Sequence, residues 1–335
     1  MSEEHKRSEL KDFKLVSYRL VPCREIKQAI DCGYPELRLI FQPIVPDPRS
    51  GMVKTRDEAI HLFYGLTKKR FKKLVYRFKN LRLTQNVNSL DEKEKLLLDP
   101  FYLFELKKDR FKFNLEYGKK LNAIIQKGTS WGKIYKLTFF KTLEENFLNQ
   151  KTFQNEQKLT WMFGGFDIDK GNFENFDLIG GGIEKEFGKS KIKIQVAKSL
   201  NGAITETNGL EDIYRIMQDS RNLAVELRRN PLRVYKELLP LEDSNIHHSG
   251  TTSCLSCHMA SGTILSAEKK LLDRGQDYDY LPSFQGSKKL FTDFNNIEKE
   301  ITTFHMFSYL FLKPVISQRV INDTILSREY FINNY

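Results

Sequence analysis

The chain is 335 residues long, 40% hydrophobic and 29% charged, ordinary proportions for a folded protein with a sizeable core. These values exclude a wholly disordered chain, and no apolar run approaches the roughly eighteen residues of a membrane-spanning helix, so the chain reads as not transmembrane. Lys and Arg number 54 against 43 Asp and Glu, a formal charge of +11. That excess either serves solubility or favours an anionic surface, such as nucleic acid, lipid headgroups, an acidic polysaccharide or an acidic redox partner.

Residues 1–12 are polar and read as a flexible N-terminus. KLVSYRLV (14–21) and ELRLIFQPIV (36–45) read as strands, with Leu37, Leu39, Phe41 and Ile44 as the apolar members of the second. Pro43 argues for a sheet edge or strand end, because proline lacks the N–H that an interior ladder uses. Thr55 stands three residues before Glu58, the spacing of a capping box, and predicts that a helix opens there. Gly65 and Thr67 interrupt it. The basic run Lys68, Lys69, Arg70, Lys72, Lys73, Arg77 and Lys79 is interleaved with Phe71, Leu74, Val75 and Phe78 at i, i+3, i+4, i+7. This spacing predicts a helix to about Leu83 with its apolar stripe in the core and its lysines in water, rather than a nucleic-acid reader.

Residues 84–100 are polar and then short-helical over 92–98. Asn114–Lys127 reads as a helix closed by Gly128. Four β-type stretches follow, at 133–142, 158–168, 176–185 and 190–198, the last alternating Ile192, Ile194 and Val196 with lysines. Gly164–Gly165 and Gly180–Gly182 predict bulges or close backbone approach within strands. Residues 209–229 read as a helix, as does a short segment from Pro231 to about Leu239. A polar loop at 240–253 leads to a cysteine–histidine cluster. Residues 264–274 read as helix, 301–312 as strand ended by Pro314, and 315–333 as a terminal helix. The pattern predicts an α+β fold: an antiparallel sheet flanked by helices, with an α+β body over 13–240 and a C-terminal region over 241–335 packed on it.

One motif carries chemistry. Cys254-Leu255-Ser256-Cys257-His258 has the spacing of a c-type haem attachment site. Two thiols so placed can form thioethers to both vinyl groups of one porphyrin, and the next imidazole can then ligate the iron. The same residues allow a Cys254–Cys257 disulfide, or a tetrahedral zinc site in which Cys254, Cys257 and His258 are joined by His247 or His248. They also allow an inert pair of thiols. A haem would take His247, His248, His305 or Met306 as sixth ligand, although His305 and Met306 read first as a packed core pair. Met259 is adjacent to the proximal histidine and cannot reach the opposite face. His61, inside an apolar stretch, reads as a core histidine with a satisfied hydrogen bond.

Cys23 and Cys32 form a second close pair, which reads equally as a short-loop disulfide or as two buried thiols. Asp167-x-Asp169-x-Gly171-x-x-Glu174 has the wrong glycine position and too short a spacing for a calcium loop, and reads as a β-turn. Glu184 and Glu186 share a strand face without a partner set. No catalytic constellation is present, so the chain reads as a non-enzyme. The first twenty residues lack the apolar core of a signal peptide. Taken as native they predict a cytoplasmic protein; if an export signal has been removed, the periplasm or cell envelope follows.

The stretches PCREIKQAIDCGYPELRLIFQP, DEAIHLFYGL, WMFGGFDI and SCLSCHMA, taken together from about Val21 to Ala260, resemble uncharacterised secreted proteins or lipoproteins of predatory and myxobacterial-type bacteria. The resemblance implies export, a Cys23–Cys32 disulfide and a single CxxCH toward the C-terminus, and no established activity. The chain departs from it in lacking a signal peptide. The leading expectation is an exported monohaem c-type protein for electron transfer or redox sensing, with a redox or envelope protein as partner. The alternative is a non-enzymatic envelope protein whose CxxCH forms a disulfide or a zinc site.

Overall fold

The computed structural model describes residues 10–22, 34–46, 53–55, 58–83, 115–144, 159–175, 183–187, 190–200, 203–206, 227–243, 264, 267–268, 270–275, 309–310, 313–314, 326–327, 330–331 and 333–334. A 3-10 turn at Leu10–Asp12 leads into β1 (Phe13–Val21), which pairs antiparallel with β2 (Glu36–Pro46). Alternation sets their shared face: Tyr18 lies opposite Leu39 and Leu20 opposite Leu37, and all four are buried.

The region after Pro46 departs from the expectation of a helix opened by Thr55 and Glu58. Val53–Thr55 form β3 and Glu58–Gly65 form β4. A four-residue cap signature is outweighed here by two ladders, since β4 pairs with β2 on one side and with β5 (Lys133–Glu144) on the other. The alternating apolar members of β4 then join a core, with Leu62 and Tyr64 against the face that carries Leu37. Pro43 is likewise not at a sheet edge, because β2 lies between β1 and β4. It falls between the end of the β4 ladder at Phe41↔Ile60 and the start of the β3 ladder at Ile44↔Thr55, a gap on that side where no ladder hydrogen bond is required.

The sheet continues through β6 (Leu159–Asp169), β7 (Asn172–Asn175), β8 (Ile183–Phe187), β9 (Ser190–Leu200) and β10 (Ala203–Glu206). Ten strands form one antiparallel sheet, in the order β1-β2-β4-β5-β6-β9-β10, with β3 on β2, β7 on β6 and β8 on β9. The turn between β6 and β7 holds Lys170 at φ 48° and Gly171 at φ 86°, both in the left-handed region, as a two-residue hairpin requires. The acidic stretch around Asp167 and Asp169 is therefore a hairpin. Glu184 lies opposite Lys193 in the β8–β9 register, a pairing of opposite charges that supports the ladder.

Two helices cover one face of the β1-β2-β4 half. α1 (Lys68–Leu83) starts at Thr67, whose hydroxyl accepts a hydrogen bond from the Arg70 amide. Its stripe of Phe71, Leu74, Val75, Phe78 and Leu81 is buried, as the spacing predicts. Phe78 stacks on Tyr18 at 5.0 Å between ring centroids, and Phe331 from the C-terminal end packs against Phe71 at 5.9 Å. α2 (Leu115–Trp131) runs past Gly128 instead of ending there. A Cβ on Gly128 would lie 2.7 Å from a Leu37 methyl and 3.1 Å from a Leu74 methyl. The glycine thus permits the approach of α2 to β2 and α1 instead of terminating the helix. Gly164 serves a similar purpose within β6, where a Cβ would come 2.7 Å from the Phe139 ring; the β5–β6 register runs through it without a bulge.

Toward the C-terminus, α3 (Pro231–Leu238) begins with proline at N1 and passes into a 3-10 turn at Leu239–Glu242. Tyr309–Leu310 (β11) and Lys313–Pro314 (β12) form a separate two-stranded pair. The architecture is α+β, an antiparallel sheet with helices.

Candidate functional site

Cys254, Cys257 and His258 lie outside the described residues, as do His247, His248, Met259, His305 and Met306, and the pair Cys23 and Cys32. The structure does describe the elements on either side of the CxxCH segment. Before it, Leu238, Leu239 and Leu241 are buried at the end of α3 and in the following turn. After it, Ile264, Ala267 and Leu271 are buried at i, i+3, i+7, one face of a helix. Arg274, following that helix, donates from its guanidinium to the backbone carbonyls of Arg228 and Arg229. Those carbonyls belong to a helical turn over 227–229. The described residues on both sides of the segment are thus packed. Glu242, Asp243 and Glu268 in these flanks are buried carboxylates.

Among the described residues, no group of three or more His, Cys, Asp or Glu side chains is placed to hold a metal ion. His61 sits half-buried on β4 with its ring edge-on to Phe140 at 6.4 Å, a packing position. Also among the described residues, no helix is long and apolar enough to cross a membrane.

Two clusters that sequence reasoning did not assemble are well defined. The first joins β2 to β5. Glu36 accepts from the Tyr135 hydroxyl on one carboxylate oxygen and from Arg38 Nε, at 2.5 Å, on the other. The Arg38 guanidinium lies 4.9 Å from the Phe63 ring centroid, and Tyr34 packs against Tyr135. With both oxygens engaged, Glu36 is a structural pin across the register shift at Phe63/Tyr64.

The second cluster lies on the helices. Lys73 and Arg77 are one turn apart on α1, and Lys127 and Trp131 are one turn apart on α2. The charges of Lys73, Arg77 and Lys127 stand 5.4, 5.1 and 5.7 Å from the centroid of the Trp131 ring. Arg70 adds a hydrogen bond of 2.7 Å to the Trp131 carbonyl, satisfying a C-terminal acceptor of α2. Cation–π attraction holds the charges on the indole, each contact worth about 0.5–1 kcal/mol at an exposed site. Among the described residues, no carboxylate lies within ion-pair distance of Lys73, Arg77 or Lys127.

Burial raises the Tyr64 phenol above its usual value of 10.0 through desolvation. It reflects packing against the core beneath α1 and α2. Compared with protein-family models, curated proteins and solved structures, the chain matches none of them.

Proposed function

We propose that this is an exported monohaem c-type protein that carries electrons or senses redox state. The observation that carries the proposal is Cys254-Leu255-Ser256-Cys257-His258. The donor set fits the group. Each thiol adds its S–H across one vinyl group, forming a carbon–sulfur bond without an external oxidant. His258 supplies an imidazole to the iron from the adjacent position. Bound haem contributes a one-electron iron couple. Cys254 and Cys257 would hold it covalently, and the packing of the described residues on both sides of the segment supports this reading. Periplasm or cell envelope is the compartment in which such a protein works, and a redox protein is its natural partner.

The test is a reduced-minus-oxidised visible spectrum of protein exported with a leader in a host competent for cytochrome c maturation. Sharp reduced bands of a c-type haem are expected, and Cys254→Ala and Cys257→Ala should each diminish covalent pigment, with the double variant abolishing it. A colourless wild-type protein contradicts the proposal.

The grouping of all four cysteines into two close pairs favours a second reading, a non-enzymatic envelope protein. There Cys23–Cys32 and Cys254–Cys257 are disulfides, or Cys254, Cys257 and His258 bind zinc with His247 or His248. Thiol titration under denaturing conditions and metal analysis separate these forms. Four free thiols and no zinc after oxidising expression contradict both.

A further inference from the structure

We propose that the outer surface of α1 and α2, centred on Lys73, Arg77, Lys127 and Trp131, docks the protein onto an anionic lipid surface. The inference is independent of whether haem is attached. α1 contains eight Lys and Arg and no Asp or Glu, and its first turn has no acidic residue to offset three consecutive cations. That arrangement opposes the helix dipole and goes uncompensated within the helix. Along the solvent side, exposed Lys69, Lys72, Lys73 and Lys79 span about 15 Å. Tyr76 is 63% exposed among them. Lys119, Lys120 and Lys127 are exposed on the neighbouring helix.

Three features select a lipid surface as the occupant. First, charge complementarity calls for phosphate-bearing anions, because Lys73, Arg77 and Lys127 converge on one indole with no described carboxylate among them. Second, three cations crowd the Trp131 ring, so it is not an open platform on which a nucleic-acid base can stack. Third, Tyr76 and Trp131 are amphipathic aromatics set among lysines, the composition of a membrane-interface belt. The apolar stripe of α1 is committed to the core, so the contact is peripheral and electrostatic, with no helix insertion.

The full chain is assayed by co-sedimentation with vesicles of phosphatidylcholine, alone or mixed with phosphatidylglycerol, at about 0.1 M salt, where the screening length is about 10 Å. Binding is expected only to the anionic vesicles, with release as salt rises. The variant Lys73→Gln/Arg77→Gln/Lys127→Gln should bind about a hundredfold more weakly, at about fivefold per charge removed. Its circular dichroism should match the wild type and its melting temperature should fall only modestly, since the replaced side chains lose their contacts to the Trp131 ring without opening the core. The control Arg228→Gln/Arg229→Gln/Lys236→Gln, with the same charge loss on the C-terminal helices, should retain most binding. Equal binding to neutral vesicles, wild-type binding by the first variant, or equal losses in both variants overturns the proposal. So does equally tight, salt-matched binding to duplex DNA that the first variant also loses, because the surface would then be a general polyanion site.

Discussion

The two halves of the sheet carry the same alternating strand pattern and differ in the clusters described on them. In the β1-β2-β4 half, Leu20 and Leu37 are fully buried in a cluster completed by Phe71, Leu74, Phe78, Leu121 and Ile125 from the helices. In the β5-β6-β9 half, the described cluster is made of strand residues alone: Phe166 and Ile194 are buried, while Leu137, Phe139 and Met162 are partly buried. Alternation therefore decides which residues face a core. In the β1-β2-β4 half, the α1 stripe completes that core.

The largest effect expected from this difference is on truncation. Phe71→Ala should lower unfolding free energy by about 3–5 kcal/mol, because a fully buried ring leaves a cavity that the surrounding side chains close only partly. Phe139→Ala, at a ring that is only half-buried, should cost about half as much. Paired denaturant titrations check this, and equal losses would break the comparison.

A smaller effect concerns the two close-packed glycines. Gly128→Ala places a Cβ 2.7 Å from a methyl of fully buried Leu37, and overpacking of about 1–3 kcal/mol should exceed the gain of about 1 kcal/mol in helix propensity. Gly164→Ala meets the Phe139 ring at the same 2.7 Å, but that ring is only half-buried and can turn aside, so the loss should be under about 1 kcal/mol. Thermal melts of the two variants sharpen the contrast.

The smallest effect is alkaline. The fold favours the neutral Tyr64 phenol, so this contribution is whole below pH 10.0 and is lost as pH rises from there toward the raised folded value. The slope cannot exceed about 1.4 kcal/mol per pH unit. Tyr64→Phe should reduce the decline of stability above pH 10.0, as measured by urea unfolding across that range.

The local patterns that made the fold legible are those with a period. The α1 stripe and the alternation in β1, β2, β5, β6 and β9 read correctly because each repeats over several turns or residues. The Thr55–Glu58 spacing misled because a cap signature is a single local coincidence, and the two ladders around β4 are formed with distant strands. Gly128 misled for a related reason: a glycine near a helix end and a glycine at a helix crossing look identical until Leu37 and Leu74 are placed beside it. The Trp131 cluster was illegible because it depends on α1 and α2 packing together, with Arg70 and Trp131 61 residues apart. The CxxCH motif is the opposite case. Its spacing is read from five adjacent residues without any tertiary contact.

Haem attachment would fall on those five residues, and intact mass reads them most directly. Protein exported from a host with cytochrome c maturation should be heavier than its polypeptide by one haem, and the excess should survive denaturation and acid extraction because thioethers do not dissociate. A mass equal to that of the polypeptide alone, from a host that loads a control cytochrome, would contradict it.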